Sequence, residues 1–445
     1  MTRPQDALGT EPIGKLLLRQ SVPASIGILF MTVNLLVDTI FVGRWIGSLA
    51  VAALAVVTPI MFFVASVGFS IGIGGSSVIS RALGSGNSEK AKSVVAQQVM
   101  MTVLLSGLIL LIGLLFPDEI LSLFGAKGKI LEPAREFFYP VLLAAPLQAV
   151  CSMSNSIIRA EHRAGFSMAA VIIASIGNIV LDIIFIKVFG WGIFGAALAT
   201  ALSLLGCFLF LLWYFLFRSE LRPSISDFKP DGKLIGEISS LSATSFSRQG
   251  VITILSALLN NTLFQYGGAH AVTVYGIISR MLMFALFPVN GVTEGFMPIA
   301  GYNYGAEKFK RVRQSIKTAV LSAGALAIAI YGIVFLFASE IVRVFSDDPE
   351  VLRDTPSALR WVFAASPVIA LQLIGAAYFQ AAGKPLKALM LTLSKQGFFL
   401  IPLILILPRY FGIFGIWVAF PVADLLATLV TSIFLWRELR TKLKI

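Results

Sequence analysis

Residues 21–43 read SVPASIGILFMTVNLLVDTIFVG, an apolar run of bilayer-crossing length with one acid, Asp38, in its interior. A membrane-spanning helix needs about 20 mostly apolar residues. A later run, GFSMAAVIIASIGNIVLDIIFIKVFG at 165–190, holds Asp182 in the same way. A carboxylate at the bilayer centre costs about 2.5–3.5 kcal/mol on insertion scales, so acids retained there usually mark working sites. Two in one chain predict a buried site that takes up and releases protons or a metal cation.

The composition agrees with a membrane protein. Of 445 residues, 57% are hydrophobic and 13% charged, and the mean hydropathy is +0.88. A soluble domain has about 45–50% apolar and about 25% charged residues. The formal charge of +12 is spread over short connectors rather than gathered into a patch, which speaks against a nucleic-acid partner. Cys151 and Cys207 lie within apolar runs and predict neither a disulfide framework nor a zinc site. The polar start, residues 1–20, leads into the first apolar run without a small-residue cleavage site, so that run is expected to remain as a helix.

Twelve segments have the length and apolarity of a span: 21–43, 50–79, 94–116, 137–158, 166–189, 193–217, 237–264, 273–300, 315–338, 360–381, 386–408 and 413–436. An even number puts both termini on one side. Connectors on that side carry more than twice as many Lys and Arg as the others, which makes the termini cytoplasmic by the positive-inside rule. The expected fold is all-α and multi-pass in the plasma membrane, the inner membrane in a Gram-negative cell.

The connector RSELRPSISDFKPDGK (218–233) divides the chain into halves that repeat. GSGNSEKAK (84–92) meets YGAEKFK (304–310), PDEILSLFG (117–125) meets ASEIVRVFS (338–346), and Pro146 meets Pro367 at an offset of 221. RAEHRAG (159–165) meets QAAGKPL (380–386), and GIFGAALA (192–199) meets GIFGIWVA (412–419). Leu, Ile and Val match readily by chance in greasy sequence; Gly, Pro and loop charges in a fixed order do not. The expected organisation is a six-helix N-lobe (1–217), a linker (218–236) and a six-helix C-lobe (237–445). Parallel repeats of this kind are a known transporter plan, with substrate bound between the halves. Asp38 and Asp182 both fall in the first half, opposite Asn261 and Pro402.

With these features the chain resembles the multidrug and toxic compound extrusion (MATE) family of cation-coupled exporters over essentially its whole length. PIAGYNYGA (298–306) and the arrangement of Pro23 before VDTIFVG carry the resemblance together with the twelve spans. The DinF-like branch of that family implies an acidic N-lobe site made of Asp38, Asn178, Asp182 and Thr200, with Pro23 as the point where the first helix bends. Independently, Asn178 and Asp182 are four apart and share a helix face, and a proline inside a helix frees a carbonyl and permits a kink. Asn34, one turn before Asp38, stands where that branch often carries Tyr. Span ten has no acid, whereas another branch places a cation-binding carboxylate there.

Two carboxylates brought together away from water resist both being charged, so the pair is expected to bind H+ or Na+. Asn178 and Thr200 would add neutral oxygens; the rival role is a hydrogen-bonded pair that joins helices. Glu294, Arg248 and Arg280 are candidates for the substrate cavity, with Met281, Met283, Phe284 and Phe287 as a flexible apolar face. Basic groups there would make anionic or zwitterionic substrates plausible. Lys395 and Asp424 stand at similar distances from the turn near Gly412 and predict an interhelical ion pair. GFSIG (68–72) matches the nucleophile elbow of hydrolases, but it falls within a predicted helix rather than a strand-to-helix turn. No phosphate-binding G-x-x-x-x-G-K-[ST] loop occurs.

The expected function is therefore not enzymatic. It is secondary efflux of small amphiphilic compounds by H+ or Na+ antiport, with no cofactor, performed by a monomer in contact with lipid. A flippase for a lipid-linked or anionic amphiphile and a non-transporting scaffold or sensor are the alternatives.

Overall fold

The computed structural model describes residues 4–443. The first half of the chain forms α1 (Ile13–Trp45), α2 (Ser48–Gly84), α3 (Ser88–Leu115), the short α4 (Pro117–Leu123), α5 (Leu131–Ala160), α6 (Ala164–Asp182) and α7 (Gly192–Phe217). The second half forms α8 (Gly232–Gly305), α9 (Phe309–Arg343), α10 (Pro349–Phe363), α11 (Ser366–Ala381), α12 (Pro385–Leu393), α13 (Ile401–Ile406) and α14 (Pro408–Thr441). Two π-helical turns interrupt spans: Ile183–Val188 continues α6, and Ser394–Leu400 joins α12 to α13. No strand occurs among the described residues.

Ten helices have the length and composition of a span, and the bent pair α10–α11, at 44°, supplies an eleventh. At 74 residues, α8 would be about 110 Å long at about 1.5 Å per residue, against an apolar core of about 30 Å. It is two spans separated at Gly268, whose φ of 63° and ψ of −161° leave the helix. The described residues thus contain twelve spans. Span ten differs from the continuous 360–381 read in the sequence: Arg360–Phe363 end α10, and the helix restarts at Ser366 with Pro367 in its first turn. A proline is well placed there, because a first-turn N–H has no intrahelical partner to lose.

α3 shows why these helices need lipid. Its polar residues Gln97, Gln98, Thr102 and Ser106 are buried, while Leu104, Leu111 and Leu115 are 69%, 53% and 62% exposed. That pattern inverts the one water selects. The Gln98 amide donates to the Ile71 carbonyl at 2.8 Å, and Ser106 donates to Thr102 O at 2.6 Å, so these buried donors are used within the bundle.

The repeat is written into the backbone. Positive φ occurs at Gly47 and Gly268, at Gly86 and Glu307, and at His162 and Gly383, each pair 221 residues apart, and at Gly192 and Gly412, 220 apart. The two non-glycine residues in this set each face a glycine in the other half, which marks these as inherited breaks in the helices.

Two compact units result. The first is built mainly from Ile26–Ser242, the second from Ala243 onward together with Ala7–Ser25. Each unit therefore contains the leading end of the other half's first helix. In the first, a Cβ on Gly74 would fall 2.8 Å from the Ile238 carbonyl oxygen; in the second, a Cβ on Gly295 would fall 2.7 Å from Ser21 N. The basic residues Lys90 and Arg311, also 221 apart, grip these segments: Lys90 pairs with Glu237 at 3.0 Å, and Arg311 donates to the Leu8 and Glu11 carbonyls at 3.1 and 2.6 Å. The 218–236 connector belongs to the first unit. Gln97 donates to the Asp227 and Lys229 carbonyls at 3.1 and 2.8 Å, and Ser93 donates to the Asp227 carboxylate at 2.9 Å.

Candidate cation site

α1, α6 and α7 bring five of the sequence-predicted residues together inside the first unit. Asp182 is the last residue of α6, where the helix widens into the π turn Ile183–Val188. Such turns shift the register of the backbone and are frequent at functional sites. Asn178 precedes it by one turn, α1 supplies Asn34 and Asp38, and α7 supplies Thr200. Asp38 is 8% exposed and Asp182 0%.

The neutral groups form a chain. Asn34 Nδ2 donates to Asn178 Oδ1 at 2.6 Å, Asn178 Nδ2 donates to Thr200 Oγ1 at 3.4 Å, and Thr200 Oγ1 donates to the Ala196 carbonyl at 3.1 Å. The bonds tie α1, α6 and α7 together. Both Asp182 oxygens and Asp38 Oδ1 are buried without a hydrogen-bond partner, and the two carboxyl groups are close enough to feel each other's charge. A proton or a metal cation bound at such a pair would relieve the repulsion between the two carboxylates. Two like charges at about 4 Å repel by about 4 kcal/mol at an effective dielectric of about 20.

Asn34, the departure from the resembled branch, is the residue that orients Asn178. Pro23 lies inside α1, half-buried, two residues before Ser25–Ile26, where the chain passes from the second unit to the first. A helix missing one backbone hydrogen bond at that point has a built-in place to bend.

The other candidates lie in the second unit. Arg248 is half-buried, as is Glu294. Arg280 is exposed, as is Met283 at 44%. Phe284 and Phe287 are half-buried, and Met281 packs against the apolar core around Leu259, Ile278 and Phe363. Lys395 Nζ approaches Asp424 Oδ1 to 2.6 Å. GFSIG lies wholly within α2, where a Cβ on Gly68 would fall 2.7 Å from the Ala149 Cα; its glycines serve close packing of α2 on α5.

Sequence reasoning missed two buried carboxylates, Glu161 and Glu438, each 3% exposed. Glu438 is held by Lys384, Lys387 and the Tyr378 hydroxyl. Both stand in charged segments at helix ends, where their sequence surroundings resemble those of solvated acids.

Most of the chain matches a family model described as MatE, at residues 23–184 and 248–406. The chain belongs to the MatE family. Asp38, Asn178 and Asp182 fall in the first matched segment, and Glu294 and Lys395 in the second. Among similar proteins, the multidrug export protein MepA of Staphylococcus aureus strain NCTC 8325 is 27% identical over 96% of this chain and 94% of its own length. MepA of Staphylococcus saprophyticus is 26% identical over 94% and 92%. A crystal structure of MATE in complex with MaD3S superposes with a TM-score of 0.92 at 27% identity, covering 99% of this chain and 98% of that one. A transporter of the MOP superfamily from Pyrococcus furiosus, described as having a binding pocket of reverse polarity, superposes at 0.93 with 26% identity and full coverage of both chains. The protein is a multi-pass membrane transporter of the MATE type and not an enzyme.

Proposed function

We propose that this MatE-family protein expels small amphiphilic compounds of several kinds by antiport against H+ or Na+, with Asp38 and Asp182 as the coupling site. The observation that carries the reading is the pair of buried carboxylates in neighbouring helices, with both Asp182 oxygens and Asp38 Oδ1 lacking a hydrogen-bond partner. The multidrug export of the MepA relatives supports the substrate class. The basic inner connectors support cytoplasmic termini in a plasma membrane, so the cation arrives from outside. Loading cancels the repulsion and draws α1 against α6; Pro23 lets the outer part of α1 respond without unwinding the rest. Release of the cation inside restores the repulsion and resets the helix. The coupling ion is the only cofactor this scheme requires.

Dye efflux from energised vesicles, with proton and sodium gradients imposed separately, tests the proposal. Asp38→Asn and Asp182→Asn should each reduce gradient-driven efflux to background at unchanged membrane abundance. Wild-type efflux rates in both variants would refute the coupling role.

A second reading rests on Arg248 and Arg280. Basic groups of this kind suit an anionic amphiphile, and for the Pyrococcus relative a binding pocket of reverse polarity is described as suggesting a different function. Flipping of a fluorescent anionic lipid in proteoliposomes, competed by the amphiphile and not by cationic dyes, would favour it.

A further inference from the structure

Lys395 and Asp424 form a second intramembrane pair, with side chains only 19% and 5% exposed. Placing an ammonium in a bilayer span is as costly as placing an acid there. A buried ion pair returns little or no stability over well-packed apolar residues. Helix joining alone therefore does not account for it.

Like Asp182, Lys395 stands at a π-helical turn. Spans five and eleven are counterparts in the two halves and each contains such a turn, at different levels, since the repeat sets Asp182 opposite Pro402. Asp182 immediately precedes Ile183–Val188, and Lys395 is the second residue of Ser394–Leu400. Neutral oxygens also stand on the neighbouring turns. Gln372 donates its amide to the Leu391 carbonyl at 3.2 Å, one turn before Lys395, and its Oε1 is buried without a hydrogen-bond partner. Gln396, next to Lys395 in the π turn, likewise has a buried Oε1 without a partner. Thr428 stands one turn beyond Asp424 on α14. A carboxylate with neutral oxygens on neighbouring turns offers the hard donors that an alkali cation takes, and the carboxylate is held by the protein's own ammonium.

We propose that Lys395 is a tethered cation occupying a site in the second unit that would otherwise take Na+, so that ion exchange runs through the first unit alone. The proposal rests on the cation reading of Asp38 and Asp182 only for the location of coupling, and its test removes that site. In purified full-length protein carrying Asp38→Asn and Asp182→Asn, thermal unfolding is compared in sodium and choline chloride at equal ionic strength and pH. With Lys395 intact the two midpoints should coincide. With Lys395→Met added, sodium should raise the midpoint by several degrees, and further adding Asp424→Asn should abolish the gain. Three results overturn the proposal: no sodium gain in Lys395→Met, a response to pH with none to sodium, or a sodium gain that survives Asp424→Asn. If Lys395→Met cannot be purified in either salt, Lys395→Gln is read by the same criteria. Failure of the coupling role in the first unit is detected separately, as wild-type efflux by the aspartate variants with Lys395 in place.

Discussion

At Glu161, one carboxylate closes the end of α7. It accepts from the Tyr214 hydroxyl at 2.7 Å, the Ser219 hydroxyl at 2.7 Å and the backbone N–H groups of Glu220 and Leu221 at 3.0 and 3.1 Å. Burial pushes its carboxyl above the ordinary glutamate value of 4.5, and these hydrogen bonds pull part of the way back. The folded chain therefore holds this proton more tightly than the unfolded chain. The stability it contributes is fully present below the ordinary value and declines as pH rises through the folded one. Thermal unfolding of wild type and Glu161→Gln should accordingly show the wild-type advantage shrinking as pH rises above that range. The same scale explains what the sequence revealed of the candidate site. Asp38 and Asp182 were visible because an acid inside an apolar run contradicts its surroundings, whereas Glu161 sits in RAEHRAG among charges where an acid is unremarkable. Asn34 was visible only as a departure, because its role depends on a partner 144 positions away. Removing its bond to Asn178 forfeits about 1 kcal/mol. Asn34→Ala should therefore shift the cation concentration for half-maximal efflux roughly fivefold, at unchanged abundance.

Among the elements, the apolar runs located every span, since lipid selects length and hydropathy directly. Their interruptions were less legible. The π turns at Ile183–Val188 and Ser394–Leu400 arise from a change of hydrogen-bond register that no residue type announces. Pro146 and Pro367 align in the repeat, yet α5 runs through the first while α11 begins at the second. Glycine breaks are more readily tested. Gly268 has a φ of 63° and ψ of −161°, a conformation that costs a side-chain-bearing residue about 1–3 kcal/mol. Gly268→Ala should lower the unfolding midpoint, and Gly86→Ala should do so by less, since the matching position in the other half is occupied by Glu307 at φ 56°.

Across the whole molecule, the twofold repetition was readable from loop residues and prolines, and the spacing of 221 recurs in the backbone breaks. The assignment of segments to units was not readable, because it depends on packing between residues far apart in the chain. Ala7–Ser25 belongs with the second unit, where Asn303 donates to the Leu8 carbonyl at 2.9 Å and Arg311 holds Leu8 and Glu11. Arg311→Ala should loosen this attachment, and trypsin should then cut at Lys15 and Arg19 faster than in wild type while the remaining helices stay protected. The close approach at Gly74 and its counterpart Gly295 has a further consequence. Either six-helix product, made by itself, would carry an empty slot shaped for a helix it does not encode. Two copies of one such product could complete each other only by trading their opening helices, so a half-length forerunner would have worked as an interlocked pair, and joining its two genes end to end would have required little more than a tether.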